Sequence, residues 1–252
     1  MTWWRDRMAD APSRHTLFAV AGAGLYLLIL LDTVVRGPLT AGVVAVNDQV
    51  IAWDGAGYPV IDWGRELSKV GDFWLGWATV LAAAGSLFAV KAWRRALGVL
   101  ATAALAPATV AAMHPLLLGL NRPIPGLSER LVPDTDSRLR VGGEHLFPSG
   151  HVVEATLDWG LLLLVALPVL FHVWGVAQPL RRRLLAGGVA VWALACAVTG
   201  VGRILRQAHG YNDVVAGWGW GVALLFGGWW AMERIPWLRD PVVARKRTGD
   251  EP

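Results

Sequence analysis

Six stretches of this chain, at about 16–35, 73–90, 96–120, 152–174, 184–202 and 214–232, stay apolar over lengths that suit a bilayer. The hydrocarbon core is roughly 30 Å thick and takes about 20 helical residues to cross. Inside it every backbone N–H and C=O must be paired within the protein, so runs of this length span as helices. Composition agrees: 55% of residues are hydrophobic, 17% are charged and 15 are tryptophan, the balance of a polytopic membrane protein rather than a soluble globule. The expected fold is all-α, a six-transmembrane helix bundle forming one domain over residues 1–237. Residues 238–252 read as a polar, disordered tail.

The first run follows the charged stretch "MTWWRDRMADAPSRH". It is longer than a cleavable signal core and lacks a good small-residue cleavage site, so it reads as an uncleaved anchor. Six spans put both chain ends on one side. That side collects Arg5, Arg7, Arg14, Lys91, Arg94, Arg95, the Arg181–Arg183 block, Arg234, Arg239 and Arg245–Arg247. The opposite side has fewer basic residues, among them Arg36, Arg65, Lys69, Arg122, Arg203 and Arg206. The positive-inside rule therefore places both termini in the cytoplasm and the other loops outside the cell membrane. The formal charge of +4 comes from short basic blocks at span ends, with no continuous basic face for nucleic acid. The single cysteine, Cys196, lies within the fifth span and can form no intrachain disulfide.

Two outward segments are long. In the first, "YPVIDWGRELSKVGD" spaces Val60, Ile61, Trp63, Leu67 and Val70 helically with charges between them. That suits a helix lying on the membrane surface or one packed over the outer end of the bundle; both readings stand. The second carries "LNRPIPGL" and ends in "EHLFPSGH", where the fourth span begins.

The outer ends of the spans collect residues with phosphate chemistry. Arg122 and Arg203 offer rigid forks of donors that grip two phosphate oxygens at once. Ser149 and Gly150, in "PSGH", stand at a helix start, where free N–H groups and the positive dipole end attract anions. His209 and Asp213 are spaced i, i+4, so on a helical turn the carboxylate can hold the imidazole in one tautomer with the other nitrogen free to attack. His151 follows "PSG" directly. No group of histidines, cysteines and carboxylates has usable metal-ligand spacing, so neither a metal nor another cofactor is expected.

In order and on one side, "RP" at Arg122–Pro123, "PSGH" at 148–151 and Arg203–x5–His209–x3–Asp213 resemble the type 2 phosphatidic acid phosphatase (PAP2) superfamily. The family pattern is K-x6-R-P, P-S-G-H and S-R-x5-H-x3-D. The resemblance implies an integral-membrane lipid phosphate phosphatase acting on a phosphomonoester or diphosphate such as phosphatidate, phosphatidylglycerol phosphate or polyprenyl diphosphate. It implies that His209 is the nucleophile that becomes phosphohistidine, that Asp213 orients it, and that His151 serves as acid and then base. Arg122, Arg203, Ser149 and the Gly150 amide would hold the phosphoryl oxygens, without a metal. A phosphotransferase would share every one of these residues, and a non-catalytic membrane relative is the third reading.

Two positions depart from the pattern. The family lysine falls on Pro115 and the serine before Arg203 is Gly202. Arg206, one turn beyond Arg203, is the expected replacement for the lost cation, with His114 second. On the fourth span, Glu154 and Asp158 follow His151 at i+3 and i+7. Carboxylates within a span tend to face a polar interior, so Glu154 is expected to pair with a cation or pass protons to His151.

Overall fold

The computed structural model of the chain describes residues 2–35, 38–118 and 147–238. They form α1 (Thr2–Val35), α2 (Pro38–Gly55), α3 (Val60–Ser68), a 3₁₀ turn at Lys69–Gly71, α4 (Phe73–Ala89) and α5 (Trp93–Leu118). After the second long segment come α6 (Gly150–Gly160), a π-helical turn over Leu161–Ala166, α7 (Leu167–Val173), α8 (Gln178–Leu205), α9 (Tyr211–Arg234) and a closing 3₁₀ turn at Pro236–Leu238. No strand occurs among the described residues. Among the described residues, six helical stretches are long and apolar enough to cross a membrane: Arg14–Thr33, Val60–Ala89, Trp93–Met113, Gly150–Val173, Gln178–Leu205 and Tyr211–Arg234. Each overlaps one of the six apolar runs of the sequence, and the second also takes in α3, ahead of the run expected at 73–90. The expected tail beyond 238 lies outside the described residues.

Helix α9 is the hub. Burying apolar area drives helices together weakly in lipid, so association rests on close packing at small residues. On α9 such residues point several ways. A Cβ placed on Gly219 would lie 2.9 Å from the Gly22 carbonyl of α1, and one on Gly22 would lie 2.6 Å from the Gly219 carbonyl. Toward α6, a Cβ on Gly217 would sit 3.0 Å from the Ser149 carbonyl and one on Gly221 would sit 3.0 Å from the Val153 carbonyl. These faces bring backbone against backbone, which any side chain would prevent.

Small side chains make the core of the other helices as well. On α5 and the turn before it, Ala92, Ala96, Val99, Ala103 and Ala106 recur every three or four residues and are all buried, which makes one continuous stripe. Against it pack Val80, Ala83, Ala84 and Leu87 of α4, Val153 and Leu157 of α6, and Leu225 and Met232 of α9. Indole N–H groups inside the bundle are used as cross-links. Trp192 donates to the Thr156 carbonyl at 2.8 Å, Trp218 to the Cys196 carbonyl at 3.1 Å, and Trp220 to the Thr109 hydroxyl at 3.0 Å. Each bond joins two helices and removes a polar group that lipid could not satisfy.

The segment after α1 is more ordered than its sequence pattern indicates, with α2 preceding the expected amphipathic helix. That helix, α3, packs on the end of α8. Its buried face is Val60, Gly64 and Ser68, small residues at i, i+4 and i+8, and Trp63 of the expected apolar stripe is exposed. The seat is Gly202: a Cβ there would lie 2.6 Å from the Ser68 amide nitrogen and 2.9 Å from the Gly64 carbonyl. The backbone of α3 thus fills the space that the serine of the family pattern would need. Ser68 is fully buried at this contact and donates its hydroxyl to the Gly64 carbonyl at 2.8 Å.

These contacts predict two outcomes in thermal unfolding of the detergent-purified protein. Gly22→Leu should lower stability by about 1–3 kcal/mol, the usual penalty for overpacking. Gly24→Leu, where a Cβ meets nothing within 4 Å, should change it by less than about 0.5 kcal/mol. Gly202→Ser, although it restores the family residue, should likewise destabilise by about 1–3 kcal/mol, whereas Gly187→Ser at an open position should be neutral. An unchanged midpoint for Gly202→Ser would contradict the packing of α3 on α8.

Candidate active site

The site is built where α8 ends and α9 begins. Helix α8 closes with the paired bonds of a Schellman end: Gln207 N–H donates to the Ile204 carbonyl at 2.9 Å and Ala208 N–H to the Arg203 carbonyl at 3.1 Å. Gln207 occupies the left-handed region at φ 55°, where glycine is the usual residue and a side chain costs about 1–2 kcal/mol. Its buried side-chain amide donates to the Asn47 carbonyl of α2 at 3.3 Å, a tertiary tie that supports the strained residue. The Arg203 carbonyl also accepts the His209 N–H at 3.3 Å. His209 is thereby held to the last turn of α8.

His209 precedes α9 rather than lying on it, which corrects the expected helical turn. Gly210 is the N-cap of α9, and Asp213 is the third residue of the helix. The Asp213 carboxylate reaches back to accept the Gly210 N–H at 3.2 Å, as an acidic third residue does in a capping box. The same oxygen lies 3.4 Å from His209 Nδ1. One carboxylate thus caps the helix and orients the imidazole, and both side chains are at most one-tenth exposed.

The second motif joins here through its backbone. Ser149 is the N-cap of α6, and its N–H donates to the Asp213 carbonyl at 3.1 Å. Its hydroxyl is fully buried and has no hydrogen-bond partner among the described residues. The first-turn amides of a helix have no intrahelical acceptors. Among the described residues, a Cβ on Gly150 would meet only a methyl of Val110, at 3.9 Å. Arg203 is 2% exposed in the last turn of α8, where a cation is favoured by the helix dipole. Arg206 is the C-cap of the same helix, partly exposed, with its backbone against Gly64 of α3.

His151, in the first turn of α6, is flanked by a residue absent from the sequence reading. Asp72, from the turn before α4, places Oδ1 4.0 Å from His151 Nε2. Deeper along α6, the Asp158 carboxylate lies over Gly76 of α4, where a Cβ would come within 2.5 Å of Oδ2; Glu154 is half-buried a turn above it. Arg122 lies outside the described residues, as do the side chains of His114 and Pro115; the Pro115 backbone is in the last turn of α5. The structure thus brings together His209, Asp213, Ser149 and Arg203 through hydrogen bonds, with Gly150, His151 and Arg206 on the adjoining helix ends.

Comparison with known proteins agrees with this geometry. The family model of the PAP2 superfamily matches residues 95–237, more than half of the chain. The crystal structure of the first transmembrane PAP2 type phosphatidylglycerolphosphate phosphatase from Bacillus subtilis superposes with a TM-score of 0.59, covering 85% of this chain and 97% of that one, at 17% sequence identity. A search of curated proteins finds none that matches. The matched region runs from α5 to the turn after α9 and contains both motifs that meet at the capped start of α9, and on these grounds the chain belongs to the PAP2 superfamily.

Proposed function

We propose that this chain is a lipid phosphate phosphatase that works through a phosphohistidine, with its site on the extracytoplasmic side of the cell membrane and both termini in the cytoplasm. The observation that carries the reading is the buried His209–Asp213 pair, bonded by backbone to the motif segments of α6 and α8. The side of the membrane follows from the basic blocks at the opposite span ends. The structural neighbour is described as a phosphatidylglycerolphosphate phosphatase, and phosphatidate, phosphatidylglycerol phosphate and polyprenyl diphosphate are the substrates that the site chemistry accommodates here.

The geometry maps onto two displacements. With Asp213 holding the Nδ1 proton, His209 Nε2 attacks phosphorus, the P–N bond forms and the P–O bond to the lipid breaks. His151 protonates the departing oxygen. His151 then takes a proton from water as that water attacks phosphorus, the P–N bond breaks, and inorganic phosphate leaves. Arg122, Arg203 and Arg206, the Ser149 hydroxyl and the Gly150 amide meet the charge that builds on the phosphoryl oxygens. In this reading no metal takes part, and the phosphate lies against the Gly150 amide.

His209→Ala and His151→Ala should each lower turnover of a lipid phosphate at least about 100-fold, the scale of lost acid–base or nucleophilic help. Phosphate release from the three lipids named above, in detergent micelles, is the measurement. Vanadate should inhibit and EDTA should not; loss of activity in chelator would point to a metal enzyme. If Arg206 supplies the cation that Pro115 lacks, Arg206→Leu should raise KM or lower kcat about 10- to 100-fold, matching a charge-assisted hydrogen bond of about 1.5–3 kcal/mol, and Pro115→Lys should restore part of the loss. Full activity in Arg206→Leu would rule out the replacement.

A further inference from the structure

We infer that Asp72 is a positioning residue for His151, so that the first outer segment supplies one of the groups on which the site's acid–base step depends. The inference rests on the phosphatase reading above, in which His151 trades a proton with the leaving group and then with water.

Asp72 stands at the N-cap of α4 with the extended dihedrals of a cap, φ −66° and ψ 142°, yet its side chain makes no capping hydrogen bond. Aspartate at such a position ordinarily accepts an N–H of its own first turn. Here the carboxylate instead lies 4.0 Å from His151 Nε2, and Asp72 is about half exposed while His151 is about one-third exposed. That distance is an ion-pair contact and longer than a hydrogen bond. Catalytic contacts of this kind often close only when substrate is bound.

The two residues before Asp72 are fixed against α6 independently of the carboxylate. The Val70 carbonyl accepts the Trp159 indole N–H at 3.2 Å. Gly71 is pressed onto His151 itself: a Cβ there would lie 3.1 Å from the His151 carbonyl and would collide with Thr199 of α8. The preceding turn of α3 is locked by Gly64 and Ser68 on Gly202. The backbone leading into the cap is thus held to the helices that carry His151 and Arg203, which sets Asp72 beside the imidazole.

In this arrangement Nε2 keeps its proton toward Asp72 and Nδ1 carries the proton exchanged with the lipid oxygen and then with water. The carboxylate orients the ring and stabilises the charged imidazole between the two steps, as an acidic partner does for a catalytic histidine. Asp72 bonds to no substrate atom.

The test uses Asp72→Asn, Asp72→Ser and Asp72→Glu in the full-length protein. Asparagine and serine cap helices about as well as aspartate, so thermal stability should be unchanged in both. With the lipid phosphate that the wild type hydrolyses, Asp72→Asn and Asp72→Ser should lower kcat about 10-fold or more while KM stays within about 2-fold, and Asp72→Glu should recover much of the loss. Combined with His151→Ala, Asp72→Asn should cost no further activity, because a residue acting through a partner has no effect once the partner is gone. Independently of turnover, the ring-nitrogen signals of His151 in isotope-labelled protein, assigned by their loss in His151→Ala, should shift in Asp72→Asn. An active wild type with unchanged kcat in Asp72→Asn, or unmoved His151 signals, would overturn the role of Asp72 alone. An inactive wild type would overturn the phosphatase reading and leave the ring-nitrogen shift to decide on Asp72.

Discussion

A single backbone hydrogen bond, from the Ser149 N–H to the Asp213 carbonyl at 3.1 Å, joins the first turns of two helices at the level of the site. Its donor is the N-cap residue of α6 and its acceptor the residue that caps α9, so an axial shift of either helix would break it. A buried backbone N–H left without an acceptor is costly. The histidine pair, the motif serine and the buried arginine take their places relative to this joint. Below it, Gly217 and Gly221 bring α9 against α6, and the indole bonds keep neighbouring helices in register.

Much of the machinery acts twice. Asp213 caps α9 and orients His209 with one oxygen. The Arg203 carbonyl receives both the Ala208 and His209 amides, so the arginine and the neighbouring histidine move as one body. Gln207 takes a strained left-handed turn and is tied through its side chain to α2. Preorganisation of this kind suits charge stabilisation during phosphoryl transfer, because donors already in place need no rearrangement as charge develops.

The six spans were legible in the sequence because a bilayer imposes a length and a polarity that few other environments require. The motif residues were legible because each has a distinctive chemistry and all fall near the ends of apolar runs. What escaped the sequence depends on contacts between distant segments. Asp72 looks like an ordinary residue before an apolar run, and only its placement beside His151, across the fold, makes it notable. The geometry of His209 escaped for a different reason: a spacing of four residues fits one helical turn and a residue lying just outside a cap equally well, and Gly210 decided for the cap. Helix α2 was missed because Asn47, Asp48 and Asp54 interrupt its apolar pattern and little distinguishes it from a polar loop.

The seat of α3 on Gly202 bears on how such sites diverge between relatives. The backbone of α3 sits where a side chain on Gly202 would project, so the third motif and the α3 segment form two halves of one joint even though more than a hundred residues separate them. Substitutions on either half then constrain the other, and Gly64 and Gly202 are expected to change together. A chimera that keeps the α3 segment of this chain but takes a third motif with serine in place of Gly202 would bring mismatched halves together. In this chain one letter of the third motif, Gly202, makes room for the backbone of a helix.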